Sequence, residues 1–283
     1  MKSEASKGIA LSAPATLYVG FLVAAPLVIL LAYSLWTQTY VSIDRTLTLA
    51  NYREALTDPL VRHLLIRSIL IAAAVTVVTV ALAYPIAYFI ALKAKRKTLW
   101  LLLITIPFWS SYLLRVFAWK LILGFNGVLN SALLGMGVID DPLTFLLYNE
   151  FAVVLTLAHA WAPFAILPIY VSLQKIDRSL LEAATDLGNG AVQRFLRVTL
   201  PLTVPGIIAA CMIIFIPTVG DYVTPSLVGG SDGKMIANLI QVQFGAANNW
   251  PLGATLSLFA MLSVGFVAIV FVMSASGLGR RIR

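Results

Sequence analysis

Six long apolar segments, with almost no charge inside them, constrain this chain more than any other feature. They lie at residues 14–36, 67–92, 98–123, 151–174, 201–220 and 252–275. A helix needs about 20 mostly apolar residues to cross a bilayer. Hydrophobic residues make up 60% of the sequence and charged residues only 11%, which excludes a soluble globular domain. The sequence predicts an all-α membrane protein with six transmembrane helices.

The basic residues between these segments predict how the chain is oriented. Thirteen Lys and Arg residues lie at the two ends and in the second and fourth connections, against four in the other connections. Cytoplasmic segments carry such an excess, so both termini are predicted to be cytoplasmic. The resulting organisation is a cytoplasmic segment at 1–13, a transmembrane domain at 14–275 and a basic cytoplasmic tail at 276–283. Residues 235–251, rich in Asn and Gln, are interpreted as a polar loop before the sixth helix.

The sequence offers little to an enzyme or a metal. It holds two His and one Cys, and that residue, Cys211, lies inside an apolar segment. No metal site is therefore expected. The string at 229–233 fits the G-x-S-x-G pattern but lacks the strand–turn–helix context that a nucleophile needs. No catalytic residue and no cofactor is predicted on this chain.

Two ionisable residues inside the apolar segments are functional candidates by default. His159 lies in the fourth segment, where the alternative is a neutral histidine that forms a hydrogen bond with a neighbouring helix. Arg115 lies in the third segment, where it either pairs with a neighbour or faces a wet cavity. Prolines also interrupt several segments, Pro107 among them. Kinked helices suit a moving pathway, and ordinary packing irregularity explains them equally well.

The fourth connection, residues 177–198, has the pattern of a short helix, a turn and a second short helix ending before Pro201. Its apolar residues recur at i, i+1, i+4 and i+7, which places them on one helix face. They are Leu180, Leu181, Ala184 and Leu187. Gly188 is a natural stop for the first helix. The apolar face is expected to pack on its own bundle or in a groove of a partner.

Within this connection, Glu182-Ala183-Ala184 is followed after three residues by Gly188, and after nine more by Val198-Thr199-Leu200-Pro201. This spacing resembles the EAA motif of ABC importer permeases, with Val198 in place of the usual Ile. The resemblance implies that the connection is a coupling helix that docks on a separate ATPase. It implies an ATPase-coupling role for Glu182, Ala183, Ala184, Asp186, Leu187 and Gly188.

Further stretches resemble the first permease subunit of polyamine (spermidine/putrescine) importers. They are 51–52, 58–60, 107–119, 126–130, 137–140, 219–225, 227–230 and 248–251. The resemblance implies a bacterial inner membrane location and several partners. These are a second permease subunit, an ATPase dimer that holds ATP and Mg²⁺, an extracytoplasmic solute-binding protein, membrane lipid and a small organic solute. It implies no nucleic-acid partner.

A site for protonated amines is expected to be acidic and aromatic. The residues predicted to line the substrate pathway are Asp221, Tyr222, Trp109, Tyr112, Ser110 and His159. Three alternatives stay open. The same kind of importer could carry another small solute, such as an opine or an amino-acid derivative. A secondary transporter would show internal repeats, and a membrane enzyme would show paired catalytic residues at one depth.

Overall fold

The structure is a computed structural model that describes residues 2–40 and 42–281, with the side chains of 11–40 and 42–275. The side chains of the predicted basic tail 276–283, and most of those in the predicted segment 1–13, lie outside the described residues. The helices are α1 (Lys2–Ser34), α2 (Ala50–Thr57), α3 (Pro59–Tyr88), α4 (Lys97–Thr105), α5 (Tyr112–Leu123), α6 (Val128–Gly135), α7 (Glu150–Gln174), α8 (Arg178–Asp186), α9 (Ala191–Arg194), α10 (Leu200–Val219), α11 (Val223–Val228), α12 (Ile236–Phe244) and α13 (Trp250–Arg281). An antiparallel hairpin pairs β1 (Thr37–Thr39) with β2 (Ser42–Asp44).

Six helical segments in the described part of the chain are long and apolar enough to cross a membrane. They are Leu11–Ser34, Pro59–Lys93, Tyr112–Gly135, Glu150–Gln174, Ala191–Val219 and Trp250–Ala275. The prediction of an all-α membrane protein with six spans is confirmed. The third segment differs in position from the predicted one.

The prediction of one continuous helix over 98–123 is wrong. Helix α4 continues as a 3₁₀ turn over Ile106–Trp109 and then stops, and α5 begins at Tyr112. Between them Ser110 and Ser111 are extended, with ψ angles of 143° and 139°. Pro107 has no N–H, and its ring would clash with the preceding turn of a regular helix. The third apolar segment is therefore two half-helices separated by a break.

The structure also corrects two predictions about connections. Helix α9 passes through a π turn at Phe195–Thr199 directly into α10, so the second short helix belongs to the fifth span. The wider π turn precedes Pro201, which cannot donate a helical hydrogen bond. The predicted polar loop at 235–251 contains α12. Asn238 stabilises the start of that helix because its Oδ1 accepts from the Met235 amide at 2.9 Å.

The chain divides into two compact units. The first comprises the chain up to Arg62 together with Leu239–Met261, and the second comprises His63–Asn238 with the chain from Leu262 onward. In the first unit, buried Asn51 donates to the carbonyls of Ser34 at 3.1 Å and Trp36 at 2.6 Å. Asn51 thereby satisfies carbonyl groups where α1 ends.

The second unit is built around α7. Its residues Leu157, Ile169 and Leu173 are fully buried. Helix α10 packs along it at Gly206, where an added Cβ would collide with the Ser172 side chain and lie 2.7 Å from the Pro168 carbonyl oxygen. Small residues allow this close approach of two membrane helices. The crossing of α7 and α10 therefore depends on glycine at position 206.

We expect Gly206→Ala to destabilise the folded protein, because the new methyl group overpacks the contact between α7 and α10. Overpacking costs about 1–3 kcal/mol, which lowers Tm by roughly 3–10 °C. Gly265→Ala is the matched control, because a Cβ there meets nothing within 4 Å; it should leave Tm within about 2 °C. Thermal unfolding of the two purified variants checks this. Equal Tm values would contradict the assigned role of Gly206.

Candidate functional site

Helix α8 has both ends closed by local hydrogen bonds. At its start the Asp177 side chain accepts from the Ser179 amide at 3.0 Å, and this bond lowers the pKa of the Asp177 carboxyl. At its end Gly188 has φ +79°, and the Asn189 amide donates to the Ala184 carbonyl at 3.1 Å. This left-handed cap is the one that glycine favours. The predicted helix and its stop at Gly188 are confirmed.

The apolar residues of this element point in two directions. Ala184 is buried and Leu181 packs against the core of the second unit. Leu180 is 48% exposed and Leu187 is 82% exposed, so only part of the predicted apolar face packs on this chain's own bundle. The reason is that α8 ends at Asp186, and Leu187 no longer follows the helical repeat. Val192 and Leu196 are also exposed. Together with Leu187 they belong to the connection 177–198, which is predicted to dock on an ATPase.

The other predicted coupling residues are accessible. Glu182, Ala183, Asp186 and Gly188 are all exposed. Among the side chains that the structure describes, the only ion pair joins Arg67 and Glu150 at 3.3 Å. Arg178, four residues before Glu182, is at the spacing for an ion pair on a helix, but the two do not form one among the described side chains. The charge of Glu182 is therefore available to a partner.

Two arginines connect α8 and the turn that follows it to the helix that enters the fifth span. Arg194 Nη1 donates to Thr185 Oγ1 at 2.6 Å, and Arg197 Nη1 donates to Asn189 Oδ1 at 3.3 Å. Hydrogen bonds from a charged donor are stronger than neutral ones. A displacement of α8 is therefore expected to be transmitted to the fifth span.

We expect Asp177→Ala to loosen α8, because it removes the acceptor for the Ser179 amide. Amide exchange in the first turn of α8 should become roughly three- to tenfold faster. Asp177→Asn keeps an acceptor oxygen and should stay near the parent rate. Because the folded pKa of Asp177 is lowered, its stabilising effect is present above the usual aspartate pKa and is lost as the pH falls through the lowered pKa. Hydrogen exchange measured against pH checks both statements.

A second candidate site is a pocket of about 280 Å³ in the second unit. It lies beside the break that separates α4 from α5. Its lining residues are Tyr112, Arg115, Ala160, Trp161, Phe164, Pro217 and Asp221. The structure therefore brings together two of the predicted pathway residues, Tyr112 and Asp221.

The carboxylate of Asp221 is held in a fixed position. Tyr112 Oη donates to Asp221 Oδ2 at 2.6 Å and also contacts the Thr224 hydroxyl. Asp221 Oδ1 accepts from the Val223 amide at 2.9 Å. Thus Asp221 caps the first turn of α11 with one oxygen and meets the Tyr112 hydroxyl with the other. The arrangement presents a preorganised negative charge to the pocket.

Arg115 and Trp161 contribute hydrogen-bond donors to the same pocket, in contrast to the acceptor Asp221. Arg115 Nη1 donates to the Pro107 carbonyl at 2.6 Å, beside the break in the helix. Arg115 Nε and Trp161 Nε1 are buried donors without a partner among the described residues. Phe164 completes an aromatic wall, with its ring 5.3 Å from that of Trp161. The sequence did not predict Trp161 and Phe164 as pocket residues. Both lie close to Pro163, but many other aromatic residues in this chain also lie close to a proline.

The other four predicted pathway residues lie outside this pocket. Trp109 is 90% exposed, and Ser110 Oγ donates to the Pro107 carbonyl at 2.8 Å. Tyr222 is exposed, and its carbonyl accepts from Asn238 Nδ2 at 2.9 Å. His159 Nδ1 accepts from Trp119 Nε1 at 3.1 Å, which matches the alternative of a histidine bonded to a neighbouring helix. No group of His, Cys, Asp or Glu in the described residues could hold a metal ion.

Comparison with known proteins gives one family and one fold. Over residues 16–283 the chain matches the family described as binding-protein-dependent transport system inner membrane component. It is 37% identical over 241 residues to the spermidine/putrescine transport system permease protein PotB of Escherichia coli (strain K12), which covers 85% of this chain and 87% of that protein. The PotB protein of Haemophilus influenzae is 35% identical over 237 residues, covering 83% and 82%. A solved bacterial ABC transporter involved in the import of the acidic polysaccharide alginate shares the fold, with a TM-score of 0.65, 19% identity and 99% coverage of both chains.

Proposed function

This chain belongs to the family of binding-protein-dependent transport system inner membrane components, the permease subunits of ABC importers, and we propose that it moves a polyamine such as putrescine or spermidine. The observation that carries the proposal is its similarity, over more than four fifths of its length, to permeases named for those solutes. Asp221 in the aromatic pocket supports it, because protonated amines bind carboxylates and aromatic faces.

The transport mechanism that we propose is alternating access, in which two conformations expose the pocket to opposite sides. ATP and Mg²⁺ bind to a partner ATPase dimer, and this chain carries no ATP site. Closure of that dimer displaces α8 through Glu182, Ala183, Ala184, Asp186, Leu187 and Gly188. Helix α8 then tilts the fifth span through Arg194, which bonds to Thr185 of α8, and Arg197, which bonds to Asn189 in the turn after it.

The proposed assembly contains a second permease subunit, the ATPase dimer and an extracytoplasmic solute-binding protein. The family name supports the last of these, because it describes transport that depends on a binding protein. We propose the bacterial inner membrane as the location, with both termini and α8 in the cytoplasm. The excess of Lys and Arg on that side supports this orientation.

Uptake of labelled putrescine and spermidine tests the proposed solute. Cells of the native host that lack this chain are compared with cells complemented by it, with opines and amino acids as competitors. We expect polyamine uptake to be lost without the chain and restored with it. Unchanged polyamine uptake, together with loss of uptake of an opine or amino acid, would overturn the polyamine assignment and leave the ABC permease intact.

A further inference from the structure

Arg115 places a permanent positive charge in the same pocket as Asp221. A guanidinium remains protonated under all ordinary conditions. The two residues do not form an ion pair, since the only one in the described part of the chain joins Arg67 and Glu150. A charged residue inside a membrane span is costly and marks a functional site by default. The charge of Arg115 is therefore expected to act on whatever enters the pocket.

The lining of the pocket holds both a hydrogen-bond acceptor and hydrogen-bond donors. Asp221 supplies the acceptor, and its carboxylate is fixed by Tyr112 and by the Val223 amide. Arg115 and Trp161 supply the donors, and each has a buried N–H without a partner in the described chain. Buried donors without acceptors are destabilising. A solute that brings an oxygen to these donors, once the side chains adjust, would relieve that cost.

We propose that Arg115 is a specificity-determining residue, which disfavours a second ammonium group inside the pocket and favours an oxygen acceptor there. A polyamine then engages Asp221 with one ammonium group at a time, and its next ammonium group remains outside the pocket. This inference rests on the proposed function, in which Asp221 binds an amine. It adds that the positive charge of Arg115 selects among solutes by the chemical group at the end that does not bind Asp221.

The expected effect is large enough to measure. Two like charges separated by several ångströms at the effective dielectric constant of a partly buried site repel enough to change an affinity by about tenfold or more. A carboxylate at the same place is attracted by a similar amount. Removal of the Arg115 charge should therefore change the relative affinity of two solutes that differ only at the far end.

The test uses three solutes with the same four-carbon chain: putrescine, butylamine and 4-aminobutyrate. All three have an ammonium group at one end, and at the other end putrescine has a second ammonium group, butylamine a methyl group and 4-aminobutyrate a carboxylate. Apparent affinities are measured by thermal stabilisation of the complete complex of permeases and ATPases in nanodiscs, without the binding protein. The parent complex is compared with Arg115→Gln, with Arg115→Met as a second neutral variant and with Arg115→Lys, which keeps the charge.

We expect the ratio of putrescine affinity to 4-aminobutyrate affinity to rise about tenfold or more in the neutral variants. It should stay near the parent value in Arg115→Lys, and butylamine should change least. Putrescine could stabilise the parent complex while the ratio of the two affinities changes less than threefold in both neutral variants. That result would refute the specificity role of Arg115 and leave the proposed function intact. If none of the three stabilises the parent complex, the pocket does not take amines and the role assigned to Arg115 fails, whereas the proposed function is decided separately by the uptake measurement.

Discussion

Solute uptake is expected to be abolished by Glu182→Lys, the first of the two substitutions with the largest expected effects. Glu182 is exposed on α8 and has no ion-pair partner in the described chain. In the proposed assembly Glu182 contacts the ATPase. The substitution places a positive charge where the interface accommodates a negative one. Charge mismatches of this kind cost several kcal/mol, enough to reduce uptake to about 1% or less.

The measurement is uptake in complemented cells, together with solute-stimulated ATP hydrolysis by the purified complex. Glu54→Lys is the matched control, because Glu54 is an exposed glutamate on another short helix, α2. It makes the same change of charge on an element that we do not assign to coupling, so uptake should stay near the parent level. Near-parental uptake by Glu182→Lys, with the protein present in the membrane, would refute the coupling assignment.

The parts of the fold that the sequence predicted well are those set by the bilayer. A span of sufficient length and low charge has few alternatives to a helix, because every backbone polar group must be satisfied within it. The first, second, fourth, fifth and sixth apolar segments are accordingly helical in the structure. The end of the helix that carries the motif at 182–188 could also be predicted. Gly188 ends that helix through local backbone hydrogen bonds, which depend on few other residues.

The parts that could not be predicted depend on tertiary contacts. Pro107 indicated an interruption, but a kink and a complete break have the same sequence signal. The break is stabilised by Arg115, eight residues later, which donates to the Pro107 carbonyl together with the Ser110 amide and hydroxyl. Likewise, Asn238 in the predicted loop finds partners in Tyr222 and Ser226. A polar residue indicates a loop only when no distant group satisfies it.

The candidate site shows the same division. Asp221 and Tyr112 were selected by chemistry, and they lie together because α11 packs against α5. Tyr222, Trp109, Ser110 and His159 have equally suitable side chains but lie outside the pocket. Composition identifies which residues could bind an amine, whereas the direction of each side chain follows from helix breaks and crossings that the chemistry of single residues does not specify.

The second large effect is expected for Asp221→Asn, which should lower uptake of putrescine at subsaturating concentration by about ten- to a hundredfold. The substitution removes the negative charge but keeps an oxygen for the Val223 amide, so the start of α11 is retained. An ammonium group would then lose a charge-assisted hydrogen bond. Because the loss falls on solute binding, we expect it to appear mainly as a higher KM for uptake.

Asp232→Asn separates a direct contact from the general electrostatic attraction of cations to the external loops. Asp232 is exposed outside the pocket, and its side chain accepts only from the neighbouring Ser231 hydroxyl, at 3.2 Å, among the described contacts. It loses the same charge without touching the pocket, so its KM should stay within about twofold of the parent. Equal increases in KM for both variants would assign Asp221 to long-range attraction. A KM unchanged in Asp221→Asn would remove Asp221 from the pathway and, with it, the reason to expect an amine in this pocket.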